Sequence, residues 1–186
     1  MKKILLAAAL TALTTTAFAA DLKPYIEGSV GYKNFDDVDI KTSGSKVKVD
    51  SDINYGIELG LRDVLPGVRL GLSNEYIQVD TQTGTNPKSK SSVNTYQINA
   101  YYDFNISSAF TPYIGVGLGG YKSNTYGSNE FAASVKAGVN YNINNNVYAG
   151  LKAAYNFYDE AKSTSGLTSF DSFNTYSVNA VLGYKF

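Results

Sequence analysis

The chain has 186 residues, 16 basic and 16 acidic side chains, no cysteine and no histidine. Without cysteine there are no disulfides, thiolate metal sites or lipid-modified cysteine, and without histidine the usual general base of serine hydrolases and the commonest transition-metal ligand are missing. The balanced charge argues against nucleic acid as a partner, because phosphate binding needs a basic surface. We therefore expect a protein that is not an enzyme and has no cofactor and no metal.

The first residues have the pattern of a secretory signal peptide. Lys2 and Lys3 form a positive start, an apolar run follows over 4–13, and Ala17 and Ala19 are small residues of a cleavage site. The run is much shorter than the roughly 20 residues that a membrane-spanning helix needs. We predict that residues 1–19 are removed and that residues 20–186 form one domain with 14 basic and 16 acidic side chains.

Beyond Ala20, apolar and polar residues alternate with the period of two that β-strands require, and no stretch has helical periodicity. The second strand is the clearest, since Ile57 and Leu59 face opposite to Glu58. The alternation predicts an all-β chain of eight strands, at about 24–35, 50–62, 67–80, 92–106, 111–122, 130–142, 146–158 and 174–186.

Two features indicate which face of these strands meets water, a question that alternation alone leaves open. Short connections (63–66, 107–110, 143–145) alternate with longer polar ones (36–49, 81–91, 123–129, 159–173), as in membrane barrels. Rings also stand near the ends of the apolar faces, where they suit interfacial girdles: Tyr32, Tyr76, Tyr96, Phe104, Phe131, Tyr141, Phe157, Tyr176 and Tyr184. We therefore predict an eight-stranded antiparallel up-and-down transmembrane β-barrel with its apolar face toward lipid.

Three segments resemble strands of the OmpA-like and opacity-type eight-stranded outer-membrane barrels. Pro24 to Tyr32 is similar to their first strand, Pro112 to Tyr121 to their fifth, and Val181 to Phe186 to their closing strand. The resemblance implies a Gram-negative outer-membrane location and makes Tyr184 and Phe186 the signal for the barrel-assembly machinery. The two Pro-Tyr-Ile segments, at Pro24 and Pro112, indicate either a duplicated half-barrel or shared packing rules.

Charged residues on the inward faces are the first candidate site. An isolated charge in a shielded lumen is costly, so these residues should pair across the barrel. We expect Glu58, Glu75, Lys136 and Lys152 to form a central network, with Glu27 and Arg69 below it; Lys33, Arg62, Asp103 and Lys185 also face inward. The network is either a structural plug, as a filled eight-stranded lumen favours, or the gate of a small pore, as the resemblance to OmpA suggests.

The last long loop holds the second candidate site, with Leu167, Phe170 and Phe173 among serines and threonines. Exposed aromatic residues can anchor a partner. They can equally pack over the barrel rim, and the sequence leaves both alternatives open.

The leading functional hypothesis is a non-enzymatic barrel that contributes to envelope integrity and presents its loops, through which it would contact an extracellular ligand. Its other expected partners are outer-membrane lipid, lipopolysaccharide and, during biogenesis, the barrel-assembly machinery. The alternatives are a narrow ion or small-solute channel gated by lumenal ion pairs, and a soluble periplasmic lipocalin-like binding barrel.

Overall fold

Eight long strands carry the alternating pattern. The computed structural model describes residues 23–35, 38–39, 46–49, 52–82, 89–104, 109–123, 130–159, 161–162, 169–170 and 172–186. The long strands are β1 (Lys23–Phe35), β2 (Asp52–Leu65), β3 (Val68–Gln82), β4 (Ser89–Asp103), β5 (Phe110–Ser123), β6 (Glu130–Asn142), β7 (Val147–Tyr158) and β8 (Phe173–Lys185). None of the described residues belongs to a helix long and apolar enough to cross a membrane.

The sheet closes on itself. Each long strand pairs antiparallel with the next along the chain, and β8 returns to pair with β1. At this seam Ile26 lies opposite Tyr184 and Val30 opposite Ala180, as the closure of a barrel requires. Closure leaves no free edge among these strands, so the predicted eight-stranded antiparallel barrel is confirmed.

The first short turn lies further along the chain than the sequence predicted. β2 continues to Leu65, and the turn is Pro66 and Gly67, whose φ of 75° suits glycine. The register between β2 and β3 shifts between Leu61 and Leu65, and Asp63 has a φ of 56°. This irregularity inserts residues into β2, as a β-bulge does, and moves the turn from the predicted 63–66 to 66–67.

Short strands occur in two of the predicted loops. Val38–Asp39 pairs with Lys46–Val49, whose last two residues also extend the sheet beside Thr81 and Gln82 of β3. Ala161–Lys162 pairs with Ser169–Phe170. Parts of the first and last long connections are therefore β-hairpins, which the sequence did not predict.

The outer face of the barrel is apolar and the inner face is polar. A band of aliphatic side chains lies at mid-height and is exposed: Val30, Ile57, Leu70, Leu72, Ile98, Ile114, Val116, Leu118, Val135, Leu151, Val178 and Leu182. Exposed rings border it toward the loops (Tyr32, Tyr55, Tyr76, Tyr96, Phe131, Phe157, Tyr176) and toward the turns (Tyr102, Phe104, Phe110, Tyr141, Tyr184, Phe186). A soluble lipocalin-like barrel has its apolar side chains inside, so that alternative is wrong.

Candidate functional site

The turn end of the lumen is closed by a layer of four buried tyrosines around Arg69. The guanidinium carbon of Arg69 lies 5.3, 4.3 and 4.9 Å from the ring centroids of Tyr25, Tyr101 and Tyr113. Tyr148 completes the layer. Arginine stacks readily on aromatic faces because its guanidinium is planar and weakly hydrated, so the layer keeps a positive charge in the lumen while blocking it.

Each of these tyrosines lies over a glycine of the next strand. A Cβ atom built on Gly183 would overlap the ring of Tyr148, and the same holds for Gly138 beneath Tyr113 and Gly115 beneath Tyr101. The inward glycines of the sequence thus provide the space that the rings fill. Small and large residues share layers in this way in a narrow barrel.

Ion pairs continue from Arg69 in both directions. Arg69 contacts Asp103 on the turn side, at 3.2 Å, and Glu27 on the loop side, at 3.8 Å. Glu27 also accepts hydrogen bonds from Lys152 Nζ at 2.8 Å and from the Tyr148 hydroxyl at 2.9 Å. Glu27 therefore joins two cations and one phenol at a fully buried position.

Glu58 and Lys136 meet through an amide rather than directly. Glu58 accepts hydrogen bonds from the hydroxyls of Tyr25 (2.5 Å) and Tyr101 (2.7 Å) and from Asn99 Nδ2 (2.8 Å). Lys136 Nζ donates to Asn99 Oδ1 at 2.5 Å. Asn99 thus links an acid and a base that make no salt bridge with any described residue.

The upper part of the lumen contains the pair of Lys33 and Glu75. Lys33 donates to Glu75 and, at 3.2 Å, to the Tyr158 hydroxyl. The sequence placed Glu75 in one network with Glu58, Lys136 and Lys152. In the structure these four residues border one small cavity, but the direct salt bridges join Glu75 to Lys33 and Lys152 to Glu27.

Opposite charges lie together in the lumen. Among the described residues they include the cations Lys33, Arg69, Lys136 and Lys152 and the carboxylates Glu27, Glu58, Glu75 and Asp103, and Arg62 at the turn end lies 3.8 Å from Asp103. A small cavity of about 20 Å³, bordered by Glu27, Glu58, Glu75, Lys136 and Lys152, has room for about one water molecule. Gln97 borders this cavity, and its Nε2 atom has no hydrogen-bond partner among the described residues.

Rings also close the loop end of the lumen. Phe173 stacks on Tyr158 with ring centroids 4.7 Å apart, and Tyr121 packs edge-on against Tyr158 at 5.0 Å. Phe35 and Val93 border this aromatic cap.

Of the three loop candidates, Phe173 is the one whose side chain the structure describes. Phe173 packs over the rim as part of the cap, whereas Leu167 lies outside the described residues. Phe170 lies in the second short hairpin, and only its backbone is described.

Several residues of the lumen could not be predicted as pairing partners from the sequence. The alternation of side chains along each strand placed Lys33, Asp103 and Asn99 on inward faces. Which of them pair depends on the relative stagger of strands that are distant in sequence. The part of the chain that the structure describes contains no group of three or more acidic residues placed to hold a metal ion.

Comparisons with known proteins agree with this architecture. The family model described as outer membrane protein beta-barrel domain matches residues 5–186. Outer membrane protein PagN of Salmonella typhimurium is 37% identical over 93 residues, an alignment that covers 41% of this chain and 38% of that protein. The chain thus matches about two fifths of the length of this curated relative.

Solved structures share the fold at low sequence identity. Neisserial surface protein A superposes with a TM-score of 0.64 and 18% identity, covering 88% of this chain and 97% of that one. Outer membrane protein OprG from Pseudomonas aeruginosa gives a TM-score of 0.64 and 20% identity, covering 88% and 95% of the two chains. Identities at this level show a common fold and nothing finer.

Proposed function

The chain belongs to the outer membrane protein beta-barrel domain family and is an outer-membrane protein, and from that membership we propose that it contributes to envelope integrity and presents its loops to extracellular molecules without catalysing a reaction. The family relationship supports the location. We further propose that its loops have an adhesive role.

The observation that carries this proposal is that the lumen is blocked at three levels. The Arg69 layer lies at the turn end, Glu58, Asn99 and Lys136 at mid-height, and the aromatic cap at the loop end. A filled lumen offers no path for a solute. What remains accessible from outside the cell is the surface formed by the loops and the upper rim.

A deletion strain tests the proposal. We expect loss of the protein to increase entry of large antibiotics and to reduce attachment to surfaces or host cells. Complementation with the full chain should restore both properties, whereas a chain whose segment 163–168 is replaced by glycine and serine should restore only the permeability barrier. Normal permeability and attachment in the deletion strain would refute the proposal.

A channel is the second candidate, supported by the ionised side chains along the lumen. Planar-bilayer recordings of the purified chain distinguish the two. Steady openings that disappear in Glu58→Gln or Lys136→Met would establish conduction, and a silent membrane supports the plug.

Two further proposals concern biogenesis. Residues 1–19 would direct export and be cleaved after Ala19, and Tyr184 with Phe186 would engage the barrel-assembly machinery. Phe186 donates its backbone N–H to the Pro24 carbonyl at 3.0 Å, and its exposed ring packs edge-on against Tyr184. An exposed pair of rings at the seam supports such a contact during insertion.

A further inference from the structure

The aromatic girdle on the loop side is interrupted on β5. Gly120 is paired with Tyr96 of β4 on one side and with Phe131 of β6 on the other. Residues directly opposite each other on antiparallel strands share a face, with Cβ atoms about 5 Å apart. The rings of Tyr96 and Phe131 are both 53% exposed, so they border a notch roughly 10 Å wide whose floor is Gly120.

A row of polar side chains lies above this notch on the same outer face. Lys122 is two residues beyond Gly120 and is paired with Asn94, and Gln78 lies diagonally from Asn94 because it is paired with Ser92. Lys122 and Gln78 are exposed and Asn94 is half-buried. Within the described residues, none of the three side chains has a hydrogen-bond or ion-pair partner.

The outward-facing residues differ between the two ends of the barrel. The outward residues nearest the turns include Phe104, Phe110 and Ile143, all exposed and apolar. On the loop side, Lys122, Asn94 and Gln78 instead lie just beyond the girdle, at the depth of the lipid headgroups. The outer leaflet of this membrane carries phosphorylated sugars and the inner leaflet carries phospholipid, so the polar row faces the sugar-bearing leaflet.

We propose that the Gly120 notch and the row of Gln78, Asn94 and Lys122 bind the phosphorylated sugar headgroup of one lipopolysaccharide molecule. The Lys122 ammonium contacts a phosphate, and the amides of Asn94 and Gln78 donate to phosphate or sugar oxygens and accept from sugar hydroxyls. Tyr96 and Phe131 cover the apolar side of the sugar and the start of an acyl chain. The inference rests on the outer-membrane location and is independent of the adhesive role.

The test is a titration of the full chain in phosphatidylcholine nanodiscs with rough-type lipopolysaccharide, followed by NMR of the side-chain NH₂ groups of Asn94 and Gln78. We expect shifts that saturate at one lipopolysaccharide per barrel. Lys122→Leu should raise the half-saturating concentration about tenfold, since a hydrogen bond to a charged group contributes about 1.5 kcal/mol or more. Lys122→Arg should retain binding, and Lys23→Leu, which removes a charge at the turn end, should leave it unchanged.

Three outcomes would overturn the proposal: no saturable shift, the same shift with phosphatidylglycerol, or equal weakening by Lys23→Leu and Lys122→Leu. Heat-modifiable migration in detergent gels verifies that each variant is folded. A failed titration would leave the permeability and attachment experiments unaffected, so the two proposals are tested separately.

Discussion

Glu27 shows how a single buried carboxylate supports the interior of the barrel. It accepts from Lys152 Nζ and the Tyr148 hydroxyl and lies 3.8 Å from Arg69. Removing one partner of a buried pair leaves uncompensated charge, which costs about 3–5 kcal/mol. We predict that Glu27→Ala lowers the free energy of unfolding by this amount, measured by urea titration of the protein in lipid vesicles.

Lys23 provides the matched control for this prediction. Its pair with Asp63, at 3.0 Å, lies at the exposed turn end of the barrel. Exposed pairs contribute about 1 kcal/mol or less, so Lys23→Ala should change the unfolding free energy little. Similar losses in the two variants would contradict a special role for the lumenal pairs.

The lumenal residues also show what the sequence could predict about the site. Alternation placed Glu58, Lys136 and Asn99 on inward faces, since side-chain direction has a period of two. It did not give the Asn99 link between Glu58 and Lys136, because their strands are far apart in sequence and their relative height depends on the stagger of the whole barrel. Facing direction was therefore predictable and pairing was not.

At the scale of strand pairs, packing of a ring over a glycine provides a second source of stability. Tyr148 on β7 covers Gly183 on β8. A methyl group at Gly183 would overlap the Tyr148 ring, and overpacking of this kind typically costs 1–3 kcal/mol. We predict that Gly183→Ala lowers the unfolding free energy by about 2 kcal/mol in vesicles.

Gly28 is the control, because it faces outward and a Cβ built on it meets nothing closer than 4.0 Å. Gly28→Ala should be close to neutral. In the double variant Gly183→Ala/Tyr148→Ala, the penalty added by the methyl group should disappear. An undiminished penalty in the Tyr148→Ala background would show that the Tyr148 ring is not its cause.

The closing strand carries a prediction about assembly rather than stability. Phe186 lies beyond the last paired residue of β8 and contacts mainly Tyr184 and the Pro24 carbonyl. Deleting Phe186 should therefore change the unfolding free energy of the refolded barrel by less than about 1 kcal/mol, the size of one hydrogen bond. The amount inserted into the outer membrane of cells should fall severalfold, measured by heat-modifiable migration of membrane fractions. Normal insertion of the shortened chain would refute the assembly signal.

Strand positions were predicted within a few residues because long amphipathic strands have a strong period. The errors lie where another interaction decides the structure. β2 extends to Leu65 through an irregularity that includes the positive φ of Asp63, and Lys46–Val49 becomes a strand because it pairs with β3. Neither a bulge nor a four-residue strand has enough alternating residues to be recognised from sequence.

At the scale of the whole molecule, two aromatic layers enclose a charged interior. The cap of Tyr121, Tyr158 and Phe173 faces the loops, and the Arg69 layer faces the turns. Either layer alone would prevent a continuous water path. Glu27, Lys33, Glu58 and Lys152 lie buried between the layers, and burial strengthens the attraction between opposite charges.

This arrangement predicts that opening the barrel requires changes at both ends. Tyr158→Ala/Phe173→Ala should remain silent in planar bilayers because the Arg69 layer still blocks the lumen, and Tyr101→Ala/Tyr113→Ala should remain silent because the cap is intact. The quadruple variant should conduct, since water reaching the charged middle layer from both sides would hydrate Glu58 and Lys136 and loosen their link through Asn99. Heat-modifiable migration shows whether each variant is folded. Conduction by either double variant would mean that one aromatic layer alone seals the lumen. A quadruple variant that folds but does not conduct would mean that the link through Asn99 seals it.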